Sequence, residues 1–282
     1  MTDYPFREYL KDELYSEFKK LQDYESQYNI REDHIILSKK NIGYKCSNVF
    51  FQYERMNTPT WSHQTNLEFW KTHREKIMKY YLQQDKMRDL FGVIQFMNHP
   101  PSQFPPNIAI DIYTLCDAQT IFDPFAGWGD RCIAAMAKGL DYIGVDCNTN
   151  LYDAYYNLKL FYPTSSKITF INKPIEKVNI ASLDFDIVLT SPPFWTDKNK
   201  LVDHYNNQSI KDYEGFMDTV LIPTIITCRK KAKFSFYYIP DNMASYLYDK
   251  NIKWDDILGF SKMGNNKYQN YKLYCFHLQN LD

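Results

Sequence analysis

The stretch Ile121-Phe-Asp123-Pro-Phe-Ala-Gly127-Trp-Gly129-Asp-Arg131-Cys-Ile-Ala-Ala-Met136 decides the fold. A short apolar run ends in an acid, passes two closely spaced glycines, and continues with helical periodicity. Such a strand-to-helix turn lets backbone N–H groups approach a ligand only where side chains are absent, and Gly127 and Gly129 supply that space. The turn is GxG, without the third glycine of the dinucleotide fingerprint and without a following Lys-Ser/Thr pair. A phosphate cradle is therefore not demanded, and a nicotinamide oxidoreductase is disfavoured.

Working outward, short apolar strands alternate with helical segments. Strands are predicted over 120–123, 142–146, 167–172, 185–190 and 233–239, and helices over 131–138, 151–162 and 213–228. This alternation predicts an α/β protein with a parallel sheet covered on both faces. Near the end, 257–262 and 272–278 flank Gly264-Asn-Asn266 and predict an antiparallel pair at the sheet edge. Asp146 ends the second strand, where a carboxylate suits the two hydroxyls of a ribose. The same group also suits capping the helix that starts near Leu151. The first 98 residues carry no recognisable motif. Helices are predicted over 8–28 and 67–84, and Val49 to Met56 reads as a strand or extended loop before the Thr58-Pro59-Thr60 turn. The chain thus divides into a mixed, mostly helical extension, 1–98, and a catalytic part, 99–282.

Composition narrows the function classes. Net charge is −1, so no global positive field draws nucleic acid, and binding must come from local patches such as Arg229-Lys230-Lys231 with Lys233. Aromatic residues make up 17% of the chain, enough to fill core positions and leave rings for stacking on bases. The cysteines are scattered without a CxxC pair, so neither a disulfide framework nor a structural zinc site is expected, and no metal is assigned. No stretch approaches the roughly 20 apolar residues that cross a bilayer, and the start, MTDYPFREYLKDELYSEF, is charged throughout. A soluble, cytoplasmic protein in a reducing compartment is expected.

The second informative motif is Ser191-Pro-Pro-Phe194, placed at the end of the fourth predicted strand. It sets a small hydroxyl, two prolines that have restricted torsions and no N–H, and an aromatic ring in succession. The order Pro101-Ser-Gln-Phe-Pro-Pro106, then DPFAGWGDR from Asp123, YIGVDCN from Tyr142, TSPPF from Thr190, and Asp212-Tyr-Glu-Gly-Phe216 resembles the amino-methyltransferases, particularly phage- and viral-type DNA methylases. The likeness spans about half the chain. It implies a Rossmann-like class I methyltransferase fold, a mainly parallel seven-stranded sheet closed by the C-terminal antiparallel hairpin, with S-adenosylmethionine as cofactor. In that family the segment matching Ser102 to Pro105 contacts the methionine part of the cofactor. The implied cofactor residues are Ser102, Phe104, Pro105, Asp123, Phe125, Gly127, Gly129, Asp146 and Cys147.

The resemblance also implies how Ser191, Pro192, Pro193 and Phe194 would act. An exocyclic amine is a poor nucleophile because its lone pair is delocalised into the ring, so catalysis must localise that pair and aim it. Ser191 Oγ and the Pro192 carbonyl are the acceptors expected to do so, with Phe194 stacking on an extruded base and Trp195 widening the platform. No strong base is required before transfer, and His204 reads as a loop residue. No Pro-Cys motif for cytosine C5 chemistry is present. Serine at the first position is associated in the family with cytosine N4 and Asp or Asn with adenine N6, so both bases stay open. DNA is the expected partner, with RNA or a protein amide as alternatives and a non-catalytic nucleic-acid-binding module as the rival from another class. Arg55, Trp61, Arg74 and Lys76 are expected phosphate-backbone contacts. Oligomeric state cannot be read from the sequence.

Overall fold

The computed structural model describes residues 3–31, 34–37, 42–59, 63–84, 87–194, 210, 212–260 and 271–277. Among them the elements run α1 (Lys11–Gln22), β1 (Tyr28–Arg31), β2 (His34–Leu37), α2 (Tyr44–Met56), α3 (Asn66–Gln83), α4 (Leu90–Met97), α5 (Pro106–Leu115), β3 (Thr120–Asp123), α6 (Asp130–Lys138), β4 (Asp141–Asp146), α7 (Tyr152–Phe161), β5 (Ile168–Asn172), β6 (Ile187–Thr190), α8 (Tyr213–Phe216), α9 (Ile222–Arg229), β7 (Phe234–Pro240), α10 (Asp241–Asp249), β8 (Asp256–Phe260) and β9 (Tyr271–His277). A π-helical turn, Met217–Leu221, joins α8 to α9.

All the described strands belong to one sheet in the order β1-β2-β8-β9-β7-β6-β3-β4-β5. The pairs β3–β4, β3–β6, β4–β5 and β6–β7 are parallel, and β9 runs antiparallel to β7 and β8. The seven strands from β3 onward are the mostly parallel, Rossmann-like sheet of class I methyltransferases expected from the sequence. Every strand of the parallel group ends on the same side, so Asp123, Asp146, Asn172, Thr190 and Pro240 share one edge. That edge positions the site.

The ends of the sheet differ from expectation. The C-terminal hairpin is not an edge, because β2 pairs in parallel with β8 and β1 pairs antiparallel with β2. Capping of an outer strand by β2 covers backbone donors that an edge would leave open. The predicted 8–28 helix is shorter, ending at Gln22, where Asp23 takes the C-cap and Lys19 and Lys20 complement the helix dipole. The Val49–Met56 segment is helix, not strand. Its Ser47, Phe51 and Arg55 recur at every fourth position and are buried, so packing at helical period overrides the strand-like Val-Phe-Phe run. Helices α4 and α10 were not anticipated.

The extension shares its core with the sheet. Leu14, Phe18, Leu21 and Phe51 belong to one apolar cluster with Ile108, Ile133, Tyr155 and Leu189. A smaller cluster joins Tyr4 and Met56 to Trp70, Ile77, Phe91 and Ile94 of α3 and α4. The opposite face of the sheet is filled by Phe122, Val188, Phe216, Ile225, Met243 and Leu247.

The extension also packs tightly against the glycine turn. Gly129 has φ 74°, and a Cβ there would lie 2.5 Å from the Phe51 ring, which is itself fully buried. Gly127 has φ 57°, but its added Cβ would meet nothing nearer than 3.9 Å. Both alanine substitutions carry the left-handed backbone cost of about 1–2 kcal/mol, and only the first adds overpacking of about 1–3 kcal/mol. Urea unfolding is expected to show Gly129→Ala as the more destabilised variant, and the reverse order would contradict this packing.

Candidate active site

The turn is built around a buried ion pair. Arg131 Nε donates to Asp123 Oδ2 at 2.6 Å, with the two side chains 5% and 0% exposed. The same carboxylate accepts from the Tyr142 hydroxyl at 2.7 Å and the Thr190 hydroxyl at 2.7 Å. Arg131 also donates to the Phe125 carbonyl at 2.7 Å and the Ala126 carbonyl at 3.3 Å. The Tyr155 hydroxyl adds a third hold on the loop at the Ala126 carbonyl, 3.0 Å away. Pairing of this kind satisfies a charge that burial would otherwise penalise heavily. Asp123, expected on the cofactor list, is therefore corrected to an organiser of the loop: its oxygens face internal donors, not open space.

Thr190 ties the two strand tips together. While its hydroxyl donates to Asp123, its Oγ1 accepts the Phe125 N–H at 3.1 Å. Ser191 follows directly. The strands carrying Asp123 and Thr190 are paired neighbours, Phe122 against Val188, so the glycine turn and the Ser-Pro-Pro-Phe segment leave the sheet side by side.

Asp146 sits at the tip of β4, half-buried. Its Oδ2 accepts the Gly127 N–H at 2.9 Å and its Oδ1 accepts the Asn148 N–H at 2.9 Å. Burial pushes its pKa up, offset in part by these two N–H groups. Each oxygen keeps a further acceptor lone pair. Beside it, Gly127 presents the open face noted above. Cys147 follows, half-buried against the cluster on the Phe122 face of the sheet. Phe125, another expected cofactor residue, turns its ring into that same core, 5.9 Å from Phe216 in an edge-on contact. It is corrected to a core residue whose backbone, not ring, shapes the turn.

The Pro101–Pro106 segment closes over the turn. Gln103 Nε2 donates to Asp130 Oδ1 at 3.0 Å, and the Ser47 hydroxyl of α2 donates to the same oxygen. Phe104 is buried, with the Arg131 guanidinium 5.4 Å from its ring centre. Pro105 is the N-cap of α5, and Ser102 is exposed. Tyr238 of β7 bridges the two motifs. Its ring lies edge-on at 5.6 Å from Phe104 and 5.7 Å from Phe194. Phe194 is half-buried, and its carbonyl accepts a hydrogen bond from the Tyr213 hydroxyl of the Asp212–Phe216 segment. Pro192 is buried, while Ser191 and Pro193 are half-exposed. Sequence reasoning missed Thr190, Arg131, Tyr155 and Tyr238 as site residues. Tyr238 was in principle detectable, since β7 borders the Ser-Pro-Pro-Phe strand.

Arg55 is corrected most sharply. It is 5% exposed, donating to the Pro101 carbonyl at 3.2 Å and to Asn48 Oδ1 at 2.8 Å. Its Nε finds no partner, and burial lowers its pKa to about 10. A guanidinium held this way supports the Pro101–Pro106 segment from beneath and does not reach a phosphate. Arg74 is exposed and ion-paired with Asp3 at 2.5 Å, and Lys76 is exposed. The basic run at 229–233 is partly structural: Arg229 binds Asp255 and the carbonyls of Lys253 and His277, and Lys231 binds the carbonyls of Ala181 and Leu183. Trp61, Trp195 and His204 lie outside the described residues.

Asp130 is the other buried acid of the turn. Desolvation raises its pKa to about 6, opposed by Ser47, Arg131, Arg55 and Gln103.

No family model matches the chain, and no curated protein matches it. Solved structures do. A putative RNA methyltransferase from Pyrococcus horikoshii is 13% identical, covering 73% of this chain and 98% of its own, with a TM-score of 0.41. The human methyltransferase 10 domain containing protein is 10% identical over 64% of this chain and 85% of its own, with a TM-score of 0.43. An rRNA methylase from Streptococcus thermophilus is 11% identical over 64% and 99%, with a TM-score of 0.42. Among the described residues no helix is long and apolar enough to cross a membrane.

Two measurements test the electrostatics. Asp123→Asn leaves Arg131 buried without its counter-charge and should cost about 3–5 kcal/mol, and Thr190→Val about 1–3 kcal/mol, in denaturant unfolding. Losses below about 1 kcal/mol for both would refute the hub. For Asp130, a folded pKa above the unfolded value means the native state binds its proton more tightly. This group's contribution to stability therefore falls as pH rises from about 4 to about 6. Relative to Asp130→Asn, the wild type should lose stability through that window and then level off, and a parallel pair of pH profiles would contradict it.

Proposed function

We propose that this chain is an S-adenosylmethionine-dependent methyltransferase that modifies an exocyclic amino group of a nucleic-acid base, cytosine N4 or adenine N6, with DNA as the leading substrate. The observation that carries the reading is the joining of three motif segments at one sheet edge. Thr190 links the glycine turn to Ser191, and Tyr238 links Phe104 to Phe194.

The residues present fit the cofactor. A carboxylate with free acceptor capacity at the tip of β4 suits vicinal ribose hydroxyls, and Gly127 leaves open volume beside it. Asp146, Gly127 and the Ser102–Pro105 segment would hold it, whereas the space over Gly129 is taken by Phe51, and when bound it supplies an electrophilic methyl on a sulfonium. The chain's own part is to present the amine. Ser191 Oγ and the Pro192 carbonyl accept the two amine hydrogens, drawing the nitrogen toward tetrahedral geometry and freeing its lone pair. Pro193 has no N–H to compete for those acceptors. Phe194, braced by Tyr238 and by Tyr213 at its carbonyl, offers a ring face to the extruded base. After transfer the nitrogen is acidic and its proton passes to water, so no dedicated base is required. Residues 1–98 and the segment after Trp195 would carry recognition of the surrounding strand.

Labelled-methyl transfer to DNA, to RNA and to a glutamine-containing protein, followed by mass spectrometry of the products, tests the reading. Methylated cytosine or adenine in DNA is expected. Ser191→Ala combined with Phe194→Ala should cut transfer at least about 100-fold while cofactor affinity stays within about threefold. Asp146→Ala should weaken cofactor binding at least about tenfold. Methylation of RNA alone would move the polymer assignment, and a fully active double variant would end the proposal.

A further inference from the structure

At the opposite end of the sheet from the strand tips, a cavity of about 230 Å³ opens between α5 and the start of β7. Its lining includes Cys116, Asp256, Cys275 and His277. The sequence expectation of no metal site passed over the spacing of Cys275 and His277. Residues two apart on a strand point to the same face, and β9 carries both. Asp256 is the direct cross-strand partner of Cys275 on β8, which sets it on the same face. One ligand atom from each of Asp256, Cys275 and His277 lies within 4.8 Å of the other two. His277 Nε2 is already 2.7 Å from Asp256 Oδ2. Cys116, the C-cap of α5, faces the same cavity from across the layer.

We propose that this cluster is a structural zinc site, with Cys275 Sγ, Cys116 Sγ, a ring nitrogen of His277 and the Asp256 carboxylate as its four ligands. Sulfur, imidazole and carboxylate together are the donor set of Zn²⁺, which takes four ligands tetrahedrally at about 2.0–2.3 Å. Ligand atoms in such a site stand about 3–4 Å apart, so those of Asp256, Cys275 and His277 need close by only about 1 Å, while Cys116, outside that group, would have to close in across the cavity. Rotation of exposed Asp256 and half-buried His277 supplies that movement. The surrounding structure fixes the backbone: the Asp255 carboxylate accepts the His277 N–H at 2.8 Å and is itself bound by Arg229 at 2.8 Å. Binding converts the two thiols to thiolates and releases their protons. The metal would staple the hairpin of β8 and β9 to the end of α5. The site is far from the proposed chemistry, so it stabilises the fold without entering methyl transfer.

The test uses the full chain stripped with a chelator, then titrated with Zn²⁺ in competition with a chromophoric chelator, and separately with Co²⁺. One equivalent per chain is expected, with an ultraviolet thiolate-to-cobalt charge-transfer band and a higher unfolding temperature when Zn²⁺ is present. Cys275→Ser with His277→Ala should lower affinity at least 100-fold. Cys116→Ser should halve the charge-transfer intensity. Asp256→Asn alters an exposed side chain, so its fold is secure, and it should lower affinity about tenfold. Circular dichroism of each metal-free variant separates lost ligands from lost folding. Absence of saturable binding, or unchanged affinity in the Asp256→Asn and Cys275→Ser/His277→Ala chains, would overturn the site.

Discussion

The buried pair between Asp123 and Arg131 is the constraint on which the strand-tip edge of the sheet depends. Two opposite charges at 2.6 Å, almost wholly removed from water, are tolerable because both groups have further hydrogen-bonding destinations. Those destinations are Tyr142 on β4, Thr190 on β6 and the carbonyls of Phe125 and Ala126 in the turn. A buried pair of this type adds little net stability over an apolar equivalent, yet it specifies geometry. Here the geometry specified is the relative position of two loops on neighbouring strands. The glycine turn cannot shift without uncovering a charge.

The extension reinforces the same point from outside. Phe51 fills the space over Gly129, Ser47 joins Gln103 of the other part in holding Asp130, and Arg55 supports the Pro101 carbonyl. Its helices also complete the core beneath α5 and α6. The first two strands extend the sheet beyond the C-terminal hairpin. Residues that carry no motif thus contribute by packing, and the loop conformation is a property of both halves of the chain.

The sheet was legible because its strands are short apolar runs bounded by turn residues, and the seven strands from β3 onward follow the expected arrangement. The extension was less so. The run Val49-Phe-Phe has strand-like composition, and only burial at every fourth position reveals a helix. The strands Tyr28–Arg31 and His34–Leu37 are four residues each, too short for alternation to declare itself. At the candidate site, the placing of the glycine turn and of Asp146 at neighbouring strand tips was legible from motif and strand order. Which of the motif residues face inward was not: Asp123 and Phe125 sit inside the turn, and Arg55 lies beneath it. Partners such as Thr190 and Tyr238 come together only through strand pairing, which spacing along one segment does not encode. Cys275, His277 and Asp256 show the same limit, since they meet across β8 and β9.

The most direct measurement is a crystal structure of the chain with S-adenosylhomocysteine bound. The account predicts ribose hydroxyls within hydrogen-bond distance of the Asp146 carboxylate, the adenosine over Gly127, and the sulfur directed toward Ser191 and Pro192. Density for the ligand at any other face of the molecule, or with its sulfur turned away from Ser191, would contradict it.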